Sequence, residues 1–168
     1  MKFTYLFLLS SLSLISSACF AEENHDRHNI QSAHAVEQLS PSLRQLLSKE
    51  MLAIQDGMMS IIPAYVSGDW PTISQIALKI KNSYILKQSL SNAQIHELHS
   101  TLPPSFLTLD QQFHYLAGML SHAADTKKPE LMGFYYSELT RTCVACHRQF
   151  AQHQFPALSD EPEPDNHH

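Results

Sequence analysis

The sequence predicts an all-α fold, and two observations support this prediction. Only 4 of the 168 residues are glycine, and the chain has no Asn-Gly or Gly-Gly pair of the kind that forms tight β-hairpin turns. Apolar residues instead recur at alternating steps of three and four, which is the spacing of the inner face of a helix packed in a bundle. We therefore expect long helices that share one core.

The first long helix is expected to begin with Ser40 as its N-cap and Pro41 at the first helical position. Pro63 is expected to kink its last turns, and Gly68 to end it. Its predicted inward seam consists of Leu47, Met51, Ile54, Met58, Ile61 and Tyr65.

Asp69 is expected to cap a second helix that runs to about Ser83. A loop follows, and then Ser91 and Gln94 have the spacing of a capping box, which predicts one short helix before Pro103. The apolar stripe of the second helix consists of Ile73, Ile76, Ala77 and Ile80, and that of the short helix of Ile95, Leu98 and Leu102.

A third long helix is expected to end near Lys127, and a fourth to run from Pro129 to about Gln152. In the third helix the predicted inward residues are Leu109, Phe113, Leu116, Ala117, Leu120 and Ala124. In the fourth they are Leu131, Phe134, Tyr135 and Leu139.

The N-terminus has the pattern of a secretory signal peptide over residues 1–21. Lys2 precedes an apolar run too short to span a membrane, and small residues precede the expected cleavage after Ala21. Lipid attachment at Cys19 is the less favoured alternative, because Ser16 stands where such sites usually have leucine. We therefore expect export to the periplasm.

Three further segments follow the leader. Residues 22–37 form a polar, His-rich lead-in, residues 38–153 the helical domain, and residues 154–168 a flexible tail of acidic, proline and histidine residues. The chain carries 11 Lys and Arg against 16 Asp and Glu, a formal net charge of −5. This acidic balance makes nucleic acid an unfavourable partner.

The most informative motif is Cys143-Val144-Ala145-Cys146-His147, whose spacing is typical of covalent c-type haem attachment. Two thiols three positions apart can each bond one vinyl group of a porphyrin, and the histidine can bind the iron. On a helix, both cysteines and His147 project from one broad face. The motif predicts one covalent haem c.

Other uses of a Cys-x-x-Cys pair are a disulfide, half of a zinc site, or a thioredoxin-like redox pair. A zinc ribbon needs a second ligand pair, and the chain has no other cysteine except Cys19. A redox pair usually opens a helix after a strand, whereas this pair lies deep inside a helical pattern. These alternatives are therefore less favoured.

The motif and its context resemble the cytochrome c prime family, the class II c-type cytochromes, over residues 38–153. The shared features are Gly68-Asp69 between the first two helices, Leu102-Pro103 before the third, and Cys-Val-Ala-Cys-His-Arg-Gln-Phe on the last. Class I cytochromes c instead carry the motif near the N-terminus. The resemblance implies an antiparallel, left-handed four-helix bundle that transfers electrons to redox partner proteins, often as a homodimer built from the first two helices.

The resemblance also implies a distal residue on the first helix, and counting back from Gly68 gives Met51. Met51 is therefore expected to line the space above His147. If it binds the iron, the six-coordinate site suits electron transfer. If it only packs there, the alternative is a five-coordinate haem protein that binds nitric oxide or carbon monoxide without turnover. Ala151 stands where many family members have Arg or Lys, which disfavours gas chemistry that needs a positive group there.

Enzymatic activity is not expected. A peroxidase needs a distal acid–base group, and the predicted inward seam of the first helix, which includes Met51, contains no histidine. His96, His99, His114 and His122 are expected to be surface or hydrogen-bonded residues; among them His114 is the first to examine as a second ligand. The remaining histidines could bind zinc or copper loosely, without fixed geometry; they are His25, His28, His34, His153, His167 and His168.

Overall fold

A computed structural model describes residues 35–83 and 86–158, and within these ranges the chain is all-helical, with no strand. The predicted all-α class is therefore confirmed for these residues. The helices are α1 (Pro41–Ser67), α2 (Trp70–Lys81), α3 (Leu86–Ser89), α4 (Asn92–Thr101), α5 (Pro104–Asp125) and α6 (Pro129–Phe150), and 3₁₀ turns lie at Val36–Gln38 and Pro156–Leu158.

Several predictions fall outside the described residues. They are the signal peptide at residues 1–21 with the alternative lipid site at Cys19, most of the His-rich lead-in, and the end of the tail. None of the helices in the two described ranges is both long enough and apolar enough to span a bilayer.

The predicted start and end of α1 are confirmed. Ser40 is the N-cap and Pro41 the first helical residue, although the Ser40 side chain makes no capping bond to α1. Both the N–H and the hydroxyl of Ser40 instead donate to the carboxylate of Glu97 in α4. Gly68 ends α1 with φ 74°, a left-handed conformation that glycine adopts without steric cost.

Two further helix starts are confirmed by their hydrogen bonds. The N–H of Thr72 donates to the Asp69 carboxylate at the start of α2, and Ser91 and Gln94 form the reciprocal capping box of α4. The expected loop between these helices contains the single helical turn α3, which no strong periodicity could predict.

The core is formed mainly where α2 packs on α5 and α5 on α6, with α1 packed on α2. This helix packing is consistent with a bundle. Small side chains let α2 and α5 approach closely, and the hydroxyls of Ser74 and Ser121 lie 3.0 Å apart between them. Fully buried residues at this interface are Ile73, Ala77, Ile80, Ala117 and Leu120.

The predicted seam of α1 is only partly correct. Ile54 and Ile61 are buried as expected, but the buried row continues through Glu50, Gly57 and Ala64. Met58 and Tyr65 pack against the edge of the core. A polar residue and two small ones occupy the inward row, so apolar spacing alone predicted a seam rotated by about one residue.

The predicted inner face of α6 is also partly wrong. Leu139 is fully buried, but Leu131 is 47% exposed and Phe134 is 55% exposed, and Met132 is buried instead. Apolar residues occupy almost every position from 131 to 136, so the periodicity does not fix the phase of the helix there.

Candidate functional site

The motif residues lie together on the last turns of α6. Cys143, Cys146 and His147 are all half-buried, and both cysteines are free thiols. Because α6 is helical from Pro129 to Phe150, the three side chains share one broad face, as the sequence predicted. Two thiols and an imidazole are thus available from one surface.

The environment of the thiols favours their protonated form. Burial raises the pKa of the Cys143 thiol. It raises the pKa of Cys146 to about 12, with smaller contributions from the negative charges of Asp110 and Cys143. Thioredoxin-like redox cysteines are activated by a lowered pKa, so this arrangement is the opposite of the one that a redox pair needs.

The imidazole of His147 is half-buried and stacks on an aromatic ring. Burial lowers its pKa below the ordinary value of histidine, which favours the neutral imidazole that can bind a metal. The ring of Phe155 stacks on the imidazole with centroids 4.3 Å apart and planes 6° apart. Phe155 belongs to the segment that turns back after α6.

The end of α6 is anchored to the rest of the protein by aromatic packing. Phe150 is 1% exposed, and its ring meets the ring of Phe106 in α5 edge-on at a centroid distance of 5.2 Å. Phe106 also packs against a small second core that joins the N-terminal turn, α1, α4 and α5; its buried members are Ala35, Leu39, Leu43 and Leu102. The motif therefore lies on a helix that is fixed at its end.

Met51 is 41% exposed, so the expectation that it packs inward is not met. The neighbouring Glu50 takes the buried position and is 2% exposed. Its carboxylate accepts hydrogen bonds from the Ser83 hydroxyl at 2.8 Å and from the Leu86 N–H at 3.3 Å. Iron binding by Met51 stays a prediction.

His114 is engaged by protein partners, as expected for a hydrogen-bonded core histidine. Its Nδ1 lies 2.7 Å from the Ile80 carbonyl oxygen, to which it donates, and its Nε2 lies 3.5 Å from Asp110 Oδ1. His153 lies 3.1 Å from the carboxylate of Glu37. His96, His99 and His122 are exposed.

Two residues near the motif were missed from the sequence, Asp110 beside Cys146 and Phe155 on His147, and so was the buried Glu50 of α1. Asp110 and Glu50 are acids whose helical phase could have suggested an inward or motif-facing position, but acids are normally placed on the outer face. Phe155 follows a chain reversal that leaves no periodic signal. The one signal in the sequence for its contact with His147 was the presence of an aromatic residue shortly after the motif.

The motif side chains are the protein groups that a covalent haem requires. In the described part of the chain, no three or more His, Cys, Asp or Glu side chains are grouped so that they could hold an ion, whereas a structural zinc site needs four ligands. Haem c needs two reduced thiols and one neutral imidazole on a single face, and these are present. Comparison of the chain with protein-family models, with curated proteins and with solved structures gave no match.

Proposed function

We propose that the protein is a periplasmic c-type cytochrome of the cytochrome c prime type, which carries one haem c and exchanges electrons with redox partner proteins. Cys143 and Cys146 would hold the haem covalently, and His147 would bind its iron. The observation that carries the proposal is the set of two free thiols and one half-buried imidazole on one helical face. When bound, the haem would supply one-electron redox chemistry.

The state of the thiols supports attachment. Formation of a thioether adds S–H across a vinyl double bond, so the sulfur bonds to one carbon and the hydrogen goes to the other, and no oxidant is needed. Reduced, protonated cysteines are the reactants for this addition, and the raised pKa values of Cys143 and Cys146 favour the protonated thiols at neutral pH. A disulfide would have to be reduced first.

We propose an antiparallel, left-handed bundle. One contact between α1 and α6 indicates the level at which Met51 would lie in it. The Tyr65 hydroxyl at the end of α1 donates to the Pro129 carbonyl oxygen at the start of α6, at 2.9 Å. Met51 lies as far before Tyr65 in the sequence as Cys143 lies after Pro129. In antiparallel helices Met51 would therefore lie level with Cys143, which supports it as the distal residue.

The exposure of Met51 favours the second candidate, a five-coordinate haem protein that binds nitric oxide or carbon monoxide. A methionine that is 41% exposed is not held in place by core packing, and its flexible side chain must lose rotamer freedom in order to bind iron. The two candidates share Cys143, Cys146 and His147 and differ only in Met51.

Optical spectra of the ferric and ferrous protein decide between the two. A sulfur-to-iron band near the red edge of the visible range, lost in Met51→Ala, is the expected result for the electron carrier. High-spin spectra that do not change in Met51→Ala, with rapid carbon monoxide uptake, would show the gas-binding protein. Met119→Ala is the control, because Met119 is a half-buried methionine on α5, outside the proposed iron site and the proposed dimer face.

We further propose a homodimer formed by α1. Its outer face carries an exposed apolar stripe at heptad-like spacing: Leu52, Met59, Ile62 and Val66 are 54–78% exposed. Met59→Glu is expected to convert a dimer into a monomer in light scattering, whereas Gln55→Glu beside it is expected to have a smaller effect. A wild-type protein that is monomeric at high micromolar concentration would refute the dimer.

A further inference from the structure

The segment after α6 folds back so that one aromatic ring covers the proposed axial histidine. The N–H of Phe155 donates to the Ala151 carbonyl oxygen at 3.0 Å, which closes the turn. Next to it, Nδ1 of His153 lies 3.1 Å from a carboxylate oxygen of Glu37 in the N-terminal turn. Phe155 is thus placed by its own backbone bond, in a segment that His153 ties to a distant part of the chain.

The geometry of the stack leaves the imidazole nitrogens of His147 free of the phenyl ring. The two planes are 6° apart with centroids 4.3 Å apart, so Phe155 covers a face of the imidazole and not its edge. Lone pairs and N–H bonds of an imidazole lie in the ring plane. A ligand can therefore bind a nitrogen of His147 while the stack persists.

A stack of this kind restricts rotation of the imidazole. Turning the His147 ring about its Cβ–Cγ bond would break the parallel contact, and aromatic pairs contribute about 0.5–1.5 kcal/mol beyond the area that they bury. The ring also keeps water from one face of the imidazole, in line with the lowered pKa of His147. Groups that orient a metal-bound histidine commonly tune the metal site.

From this geometry we infer that Phe155 is a positioning residue, which fixes the plane of the His147 imidazole and would shield a bound iron on the His147 side. This inference rests on the proposed function, because it requires His147 to be the axial ligand. It adds a residue from outside the motif, and outside α6, to the proximal site.

The test compares Phe155→Leu, which keeps an apolar side chain but removes the ring, with Phe155→Tyr, which keeps the ring. Phe134→Leu is the matched control, since Phe134 is an exposed phenylalanine at the far end of α6. The measurements on the holoprotein are its mass, the paramagnetic NMR shifts of the haem methyl groups, and the rate at which acid displaces His147 from the iron. We expect Phe155→Leu to change the methyl shift pattern and to accelerate displacement about tenfold.

Phe155→Tyr and Phe134→Leu are expected to retain the wild-type pattern and rate. Wild-type shifts and rates in Phe155→Leu would overturn the inference, as would an equal change in Phe134→Leu. If Phe155→Leu does not mature, Phe155→Met provides the same comparison with a larger side chain. A wild-type mass without haem would refute the proposed function itself, whereas a haem-bearing wild type unaffected by Phe155→Leu refutes only the role of Phe155.

Discussion

The two halves of α6 differ in what surrounds them. In the first half Met132 and Leu139 are 1% and 0% exposed, and the Tyr65 hydroxyl bonds the Pro129 carbonyl oxygen where the helix begins. In the last turns Cys143, Cys146 and His147 are only half-buried. One helix therefore supplies stability through its first half and through Phe150 at its end, and leaves the motif side chains between them half-buried.

Because of this difference, we expect mutations in the first half of α6 to affect stability and mutations in the motif to affect its chemistry. Loss of a buried apolar group in the first half should lower the free energy of unfolding and leave the motif chemistry intact. Substitutions in the half-buried motif should instead remove chemistry at little cost in packing. The following predictions test this separation, beginning with the largest effect.

Replacing both cysteines, in Cys143→Ser with Cys146→Ser, is expected to abolish covalent haem completely. Serine hydroxyls do not form the stable thioethers that the thiols form, so haem should be absent from the denatured chain by mass spectrometry. Val144→Ser is the control, because Val144 lies inside the motif and is 39% exposed. Haem that remains bound after denaturation in the double variant would refute attachment at these thiols.

Leu139→Ala is expected to lower the free energy of unfolding by about 2–5 kcal/mol, because it removes buried methyl groups and leaves a cavity. Leu131→Ala is the matched control on the same helix; Leu131 is 47% exposed, and surface substitutions usually change stability by less than about 0.5 kcal/mol. Denaturant titration of the holoprotein measures both. Equal losses for the two variants would contradict the assignment of the inner face of α6.

Features of the fold and the site that depend on a single residue or a single helix could be predicted from the sequence. Helix ends were predictable where one residue decides them, as with Gly68 and Asp69, because capping and left-handed backbone are local effects. The placement of the motif on one helical face was predictable, because it needs only spacing within one helix.

Which residues of α1 and α6 point towards the core was less predictable, because it depends on neighbouring helices. Glu50 occupies an inward position since Ser83 and Leu86 supply its hydrogen bonds, and those donors come from a segment beyond α2. Met51 is displaced from the core as a result. Phe155 reaches His147 only through a turn closed after α6, and a turn of this kind has no periodic pattern to read.

Glu50→Ala is expected to destabilise the protein by about 1–3 kcal/mol, because it removes the acceptor that Ser83 and Leu86 use in a buried place. Asp56→Ala is the control, since Asp56 is an exposed acid on the same helix. Adding Ser83→Ala to Glu50→Ala should cost less than the sum of the two single variants, because both remove one shared hydrogen bond. Additive losses in thermal unfolding would show that the bond contributes nothing.

The smallest expected effect concerns Asp110 and the thiol of Cys146. Burial is the main cause that raises the Cys146 pKa to about 12, and the negative charge of Asp110 adds to it. Asp110→Asn removes that charge, so in chain produced without haem the Cys146 pKa should fall while staying above the ordinary value of a cysteine. Alkylation of Cys146 should then begin at lower pH than in wild type.

Asp56→Asn is the matched control, because Asp56 lies on α1 and does not contribute to the Cys146 pKa. Haem-free Asp110→Asn with a wild-type alkylation profile would mean that Asp110 has no electrostatic influence on the motif. A profile shifted to the ordinary cysteine range would mean that charge, and not burial, protects the thiol. Only the intermediate result agrees with a half-buried motif in which burial dominates and a neighbouring acid adds to it.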